Sequence, residues 1–316
     1  MNAPFGEGAT TGAGPQPSLL GDLLAIARFH IVLIAMTACV TFGWLMTGRY
    51  AWALVPVVAV DWFVINLLNR ITDIEEDLRN GIPGTARVAR QRRFFAVLAG
   101  ALVVGSFAAT HLLWPALTPF RVVVQLIGGG YSYRLVPTLG GWKRFKEIYF
   151  LKNFMSAVLF VLTCFVYPLV VFGALRSLSW AAIATLVVFF VTFEITYEIL
   201  YDLRDLDGDR AEGVPTYPVV HGTRVSRQII DALLVIATLV LLGGLATSTL
   251  GVREGLMLAA PVSQLSFYRP RFARGLTTSD CIWLTHLGSL ELSLYLVGNR
   301  AWLAAGMPAN IFPFAR

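Results

Sequence analysis

Two short stretches hold the residues that could do chemistry. NRITDIEED at 69–77 and YDLRDLDGD at 201–209 gather acid in a chain that is 56% hydrophobic and only 14% charged. On a helix, side chains three, four or seven residues apart share a face. Asn69, Asp73 and Asp77 keep that spacing, and so do Asp202, Asp205 and Asp209. Each helix then presents three oxygen-bearing groups to one side. Glu75, Glu76 and Asp207 point elsewhere provided the helix continues, and Gly208 weakens that condition at the second site. Stacked carboxylates repel: two charges ~6 Å apart at an effective dielectric of ~20 cost about 3 kcal/mol. The negative end of the helix dipole adds to the cost. One such cluster reads equally well as a solvated helix end with arginine partners. Two matched clusters point to hard divalent cations with oxygen ligands, and magnesium suits a sparse set completed by water and phosphate oxygens.

The elements that must position these groups are membrane helices. The 316 residues have a mean hydropathy of +0.67, and the apolar residues come in blocks of bilayer-spanning length. The expectation is an all-α, polytopic membrane helical bundle of about nine transmembrane helices in two related halves. The spans fall near 19–47, 51–78, 94–113, 116–133, 148–172, 179–203, 227–249, 253–268 and 281–299. The fourth and eighth are short or interrupted, by GGG at 128–130 and by Pro261. Residues 1–18 read as a disordered tail, 19–300 as the transmembrane domain and 301–316 as a C-terminal tail. Cys39, Cys164 and Cys281 lie far apart in apolar runs and read as buried small hydrophobes.

Most of the 25 basic residues fall in the loops after even-numbered spans, at 79–93, 134–152, 204–227 and 269–274. The positive-inside rule places these loops in the cytoplasm, as in a bacterial inner membrane. That distribution also argues against nucleic acid as the partner, despite a net charge of +6. Both acidic clusters end an even-numbered span and so share the cytoplasmic face with the basic loops. Metals and basic groups around one cavity describe a diphosphate clamp. Above an apolar bundle rich in Phe and Trp, an isoprenyl diphosphate fits. Prenyl transfer through an allylic cation is the matching chemistry, with water excluded. A cation-coupled transporter is the competing class, but its acids belong near the bilayer midplane rather than at one face.

At these residues the chain resembles the UbiA-type superfamily of intramembrane aromatic prenyltransferases. NRITDIEED matches that family's NxxxDxxxD motif, and DLRDLDGD at 202–209 matches its DxxDxxxD motif. AEGVPTYPVVHG at 211–222, YSYR at 131–134 and LKN at 151–153 resemble further family segments, so the likeness covers roughly 20–300. The resemblance implies a magnesium-dependent prenyltransferase acting on an isoprenyl diphosphate and an aromatic or quinone-precursor acceptor. It also admits a terpene cyclase or a non-aromatic lipid acceptor. By position, Asn69, Asp73 and Asp77 would bind one magnesium and Asp202, Asp205 and Asp209 the other. Lys152 would contact the diphosphate, with Arg134, Arg79 and Lys146 as further contacts. Tyr201 stands where many relatives carry Lys, and Arg204 or Arg210 are the candidates to replace that cation. Asp207 occupies a position often acidic in the family.

Several other polar groups lie in apolar spans. Arg28 either faces the diphosphate cavity or snorkels to the interface, and His30 reads as a hydrogen-bonded core histidine. Glu194, Tyr197 and Glu198 lie one or two turns from Asp202. Glu198, on the same stripe, would hold the acceptor, accept its proton, or make a bundle hydrogen bond. Arg121, His286 and Glu291 are buried-polar candidates. Asp61 reads as an interface marker, the GGG run as close packing or a broken helix, and Ser226 as a helix cap.

Overall fold

The computed structural model describes residues 19–79 and 81–314; the 1–18 tail lies outside them. The chain is an all-α membrane bundle with one two-stranded ribbon. In order the helices are α1 (Leu19–Ile26), α2 (Phe29–Thr47), α3 (Val55–Thr72), α4 (Ile74–Arg79), α5 (Thr85–Arg90), α6 (Arg92–Leu113) and α7 (Thr118–Ser132). The ribbon β1 (Val136–Thr138) and β2 (Gly141–Lys143) is antiparallel, with Pro137 opposite Trp142. Then come α8 (Leu151–Val161), α9 (Tyr167–Phe172), α10 (Trp180–Arg204), α11 (Leu206–Glu212), α12 (Tyr217–Ala246), α13 (Val252–Gly255), α14 (Ala259–Phe272) and α15 (Thr278–Ala304).

Among the described residues, seven helical segments are long and apolar enough to cross a membrane. α7 and α14, with 15 and 14 residues, fall short of the nine expected spans; at 1.5 Å per residue each covers about 22 Å. The outer face of α6 leaves Val97, Val104 and Leu112 at least 71% exposed, a surface suited to lipid. α8 and α9 run on through a π turn at Leu162–Val166, because Pro168 has no N–H to continue the ladder.

The bundle core lies where α2, α3, α8, α10 and α15 meet. Phe42 stacks on Phe165 there with centroids 4.3 Å apart, Phe190 meets both rings edge-on at 5.3 and 5.4 Å, and Trp62 Nε1 donates to Thr163 Oγ1 at 3.1 Å. The GGG run packs and does not break its helix. A Cβ on Gly128 would stand 2.5 Å from Ile65 Cγ1, and one on Gly130 would stand 2.6 Å from the Phe145 ring. Asp61 is no interface marker. It is fully buried, accepting from Arg121 Nε at 3.0 Å, Gln125 Nε2 at 2.9 Å and Tyr167 Oη at 2.9 Å. Arg121 also donates to Ser106 O and Thr110 Oγ1, both at 2.8 Å, so α3, α6, α7 and α9 share one satisfied polar knot.

Spans one and two are broken, and α10 ends just past the expected end of span six, so two of the breaks fall at aspartates of the acidic stretches. Span one parts at Arg28, in the left-handed region with φ 44°. Span two parts at Asp73 (φ −105°, ψ 28°), and α10 parts from α11 at Asp205 (φ −92°, ψ 8°). Beyond Asp73 and beyond Asp205 the chain builds one and the same structure. Asp77 N bonds Asp73 O at 2.8 Å and Asp209 N bonds Asp205 O at 2.9 Å. Each short helix then closes on a left-handed glycine, Gly81 or Gly213. Ile82 N reaches back to Asp77 O, and Val214 N to Asp209 O, both at 2.9 Å. This is the six-residue return of a Schellman end. The seventh expected span begins earlier than its sequence pattern suggests, at Tyr217, with a kink at Gly222. Ser226 lies inside it, donating to Gly222 O rather than capping.

Candidate active site

The two breaks set the geometry. Past Asp73 the helix restarts in a new phase, so the stripe Asn69–Asp73–Asp77 is not a single face. Asn69 Nδ2 donates to Asp73 Oδ2 at 2.6 Å. Asp77 turns to Arg70, at 2.7 Å. Glu76, expected to point away, instead shares Lys146 with Asp73, at 2.7 and 2.8 Å. Arg144 reaches Asp73 as well, at 3.1 Å. The ribbon supplies both cations: beyond β2 the chain turns through Phe145–Glu147. The Glu147 carboxylate accepts from Arg144 N at 3.0 Å and from its Nε at 2.9 Å, fixing the arginine.

The second cluster is built alike. Lys152, on the first turn of α8, bridges Asp202 at 2.8 Å and Asp209 at 3.0 Å. Asn153 Nδ2 donates to Asp202 at 2.8 Å. Arg204 Nε bonds Asp205 at 2.7 Å, and its guanidinium covers the Tyr201 ring at 4.7 Å. One exposed ion pair, Arg79–Glu212 at 3.1 Å, ties α4 to α11 and so joins the clusters. Burial raises Asp73 above the ordinary carboxylate range despite Lys146 and Arg144 beside it. Burial likewise pushes Asp209 up to about 6 against the pull of Lys152.

A cavity of about 210 Å³ runs into the bundle and is mostly apolar, with Phe42, Trp62, Phe160, Phe189 and Phe190 in its wall. Arg28, Asn66, Asn69, Tyr131, Tyr201 and Glu198 supply polar atoms to its lining. Arg28 therefore lines the cavity, and the left-handed turn at its backbone is what brings it there. Tyr197, Glu194 and Glu291 line it too. Buried atoms Asn66 Nδ2 and Glu194 Oε2 have no hydrogen-bond partner among the described residues.

Other expected contacts fall outside. Arg134 is 69% exposed at its side chain and pairs with Glu147; Arg210 is 63% exposed and lies 4.0 Å from a fully exposed Asp207. Tyr201 does line the cavity, and its Oη lies 2.8 Å from Thr285 Oγ1, tying α10 to α15. Sequence reasoning passed over Arg70, Arg144, Asn66, Asn153 and Ser156. Arg70 stands seven residues before Asp77, a spacing that places them on one face. Asn153 lies inside LKN, directly after Lys152.

Among the described residues, no three His, Cys, Asp or Glu side chains converge on a closed metal-ligand set. Each acidic cluster is instead closed by an internal lysine.

The sequence profile of the UbiA prenyltransferase family matches residues 99–280, more than half of the chain. The chain belongs to the UbiA prenyltransferase family. The family match includes the second acidic motif. A digeranylgeranylglyceryl phosphate synthase from Methanothermobacter thermautotrophicus is 29% identical over 197 residues, 62% of this chain. The chain spans 65% of that relative's length. Among solved structures, a UbiA homologue from Archaeoglobus fulgidus bound to DMAPP and Mg2+ superposes with a TM-score of 0.68 at 16% identity. The match covers 87% of this chain and 98% of that one. The same homologue bound to GPP and Mg2+ gives 0.64 at 15% identity, over the same shares. At such identities these likenesses establish a shared UbiA fold.

Proposed function

We propose that the chain moves an isoprenyl group from its diphosphate to an aromatic or quinone-precursor acceptor, with magnesium, at the cytoplasmic face. The observation that carries this reading is the pair of duplicated acid–lysine clusters joined beside an apolar, aromatic-walled cavity. The solved homologue with DMAPP or GPP and Mg2+ supports the same donor chemistry.

The donor set suits magnesium: it offers oxygens, is buried except at Asp205, and stands as two groups of three rather than a cage. Charge balance makes the same point. In the first cluster Asp73, Glu76 and Asp77 meet Arg70, Arg144 and Lys146; in the second Asp202, Asp205 and Asp209 meet Lys152 and Arg204. Neither cluster holds surplus positive charge, so a polyanionic diphosphate must arrive with cations of its own. Asn69, Asp73 and Asp77 on one side, and Asp202, Asp205 and Asp209 on the other, are the groups that would hold them. Magnesium, when bound, neutralises the oxygens of the leaving diphosphate. Lys146 and Lys152, freed from their carboxylates, would turn to the phosphate oxygens. Arg28 would meet the diphosphate from the cavity side. The aromatic wall keeps water from the carbon that becomes cationic.

A second acceptor class has specific support. The synthase relative is named for a glycerol phosphate lipid, so such a lipid stands beside the aromatic acceptor. The test offers purified protein labelled dimethylallyl, geranyl and geranylgeranyl diphosphates, with aromatic acids or a glycerol phosphate ether, with magnesium or EDTA. Magnesium-dependent diphosphate release coupled to a prenylated product is expected. Release that persists in Asp73→Ala and Asp202→Ala would remove the basis of the proposal, and a cyclic product formed without acceptor would reassign the reaction.

A further inference from the structure

Deeper in the cavity wall than the acidic clusters, α10 carries Glu194 and Glu198 one turn apart. Ser156 of α8 lies between them. Its Oγ is 3.0 Å from Glu194 Oε1 and 2.8 Å from Glu198 Oε1. Among the described residues neither glutamate has an ion-pair partner, and the second oxygen of Glu194 is buried with no hydrogen bond. Of the charged groups near them, Lys152 of α8 is held by Asp202 and Asp209, and Arg28 and Glu291 line the same cavity.

A serine hydroxyl has one hydrogen to donate. It can serve one of these carboxylates, not both. Were both ionised, the second would press an oxygen lone pair against the serine oxygen in a low-dielectric wall, next to a like charge. The arrangement is satisfied only when one carboxyl is protonated and donates to Ser156, which donates onward to the other. One proton is thus shared, and one basic carboxylate remains against the cavity.

We propose that Glu198, Ser156 and Glu194 form the proton acceptor of the reaction, placing the acceptor's reactive atom against this stretch of α10. The proposal rests on the prenyl-transfer reading. The bond between the donor's first carbon and the diphosphate oxygen breaks, and its electron pair leaves with the diphosphate. An electron pair of the acceptor forms the new bond to that carbon. The proton on the attacked ring carbon or hydroxyl oxygen passes to the ionised carboxylate. Both carboxyls are then neutral, and the surplus proton passes to water at the mouth once the product has left. This sets the substrate class: the acceptor must carry a removable proton on the atom attacked. A cyclising reaction that closes on a water would not need the pair at this depth.

The experiment compares the wild type with Glu198→Gln, Glu194→Gln and Ser156→Ala. Magnesium-dependent diphosphate release without acceptor is measured beside kcat and KM for transfer to the acceptor. Transfer kcat is expected to fall in Glu198→Gln at least about 100-fold more than diphosphate release, the usual range for a lost general base. Infrared difference spectra give a second readout that needs no turnover. A protonated-carboxyl band is expected in the difference between the wild type and the Glu194→Gln/Glu198→Gln double variant, where Asp73 and Asp209 cancel, and is altered in Ser156→Ala. Parallel loss of release and transfer would mark the pair as structural and overturn the proposal. So would a difference spectrum without the protonated band. A wild type that releases no diphosphate from any donor defeats the prenyl-transfer reading itself, and the relay as its proton acceptor falls with it.

Discussion

Replacing Lys152 by Met would test the charge logic of the site most directly. The ammonium lies 2.8 Å from Asp202 and 3.0 Å from Asp209, and both carboxylates are buried. At an effective dielectric of ~20 each contact is worth roughly 5–6 kcal/mol of attraction before desolvation. Removing one partner of a buried ion pair costs about 3–5 kcal/mol net, because the remaining charge stays uncompensated. The same loss is expected for Lys152→Met in EDTA, measured by unfolding in mixed detergent micelles. The penalty should also grow with pH. Asp209 is held up at about 6 even with the lysine present; without it the carboxyl goes higher. The folded chain then keeps a proton that the unfolded chain releases in the ordinary carboxylate range, so stability falls as pH rises. The loss is therefore larger at pH 8 than at pH 6. If the acids are metal ligands, magnesium takes the vacated place. At a hundredfold excess over its Kd a ligand of the native state adds about 2.7 kcal/mol. Magnesium should thus stabilise Lys152→Met more than the wild type, where the lysine competes. Equal stabilisation of both, or no loss in EDTA, would refute the reasoning.

Lys146→Ala is expected to lower diphosphate release at least about 100-fold, whereas Arg134→Ala, whose side chain is exposed and pairs only with Glu147, should cost under about threefold; steady-state assays separate them. Arg121→Met strands Asp61 and is expected to destabilise the bundle by about 3–5 kcal/mol, with part regained in Asp61→Asn/Arg121→Met; the readout is unfolding in mixed micelles. Gly128→Ala drives a methyl to 2.5 Å from Ile65 Cγ1 and should cost about 1–3 kcal/mol, relieved by Ile65→Ala.

Much of the fold was legible in the residues because it depends on local spacing and bulk hydropathy. The all-α membrane bundle follows from apolar runs that only helices can satisfy in lipid. Both acidic stretches were visible because stacked carboxylates at a helix end are costly and so conspicuous. What spacing could not show was the phase beyond each break. Nothing in the residue types marks Asp73 and Asp205 as the points where the helix parts. An ideal continuation put Glu76 on the wrong side, although the seven-residue spacing of Arg70 and Asp77 was there to be read. Asp61 was misplaced for a related reason. Its partner Arg121 lies 60 residues away, and a pairing across helices leaves no periodic trace. Lys146 and Arg144 illustrate the same limit, since both reach the site only through the ribbon's turn.

The duplicated breaks also explain why two clusters can coexist. Were α3 and α10 continuous, each would stack its acids on one stripe and carry the full repulsion without relief. Breaking at Asp73 and at Asp205 lets the next turn fold back under a left-handed glycine. The following aspartates are then re-aimed, Asp77 to Arg70 and Asp209 to Lys152. Each cluster thereby becomes a set of short ion pairs that stands folded without a ligand. On the proposed reading the same pairs would be exchanged, one carboxylate at a time, for a cation and its phosphate. A helix with its charge fully satisfied would have no such exchange to make, and one with none satisfied would not fold. The break, once at Asp73 and once at Asp205, is the element that sets each cluster between those limits.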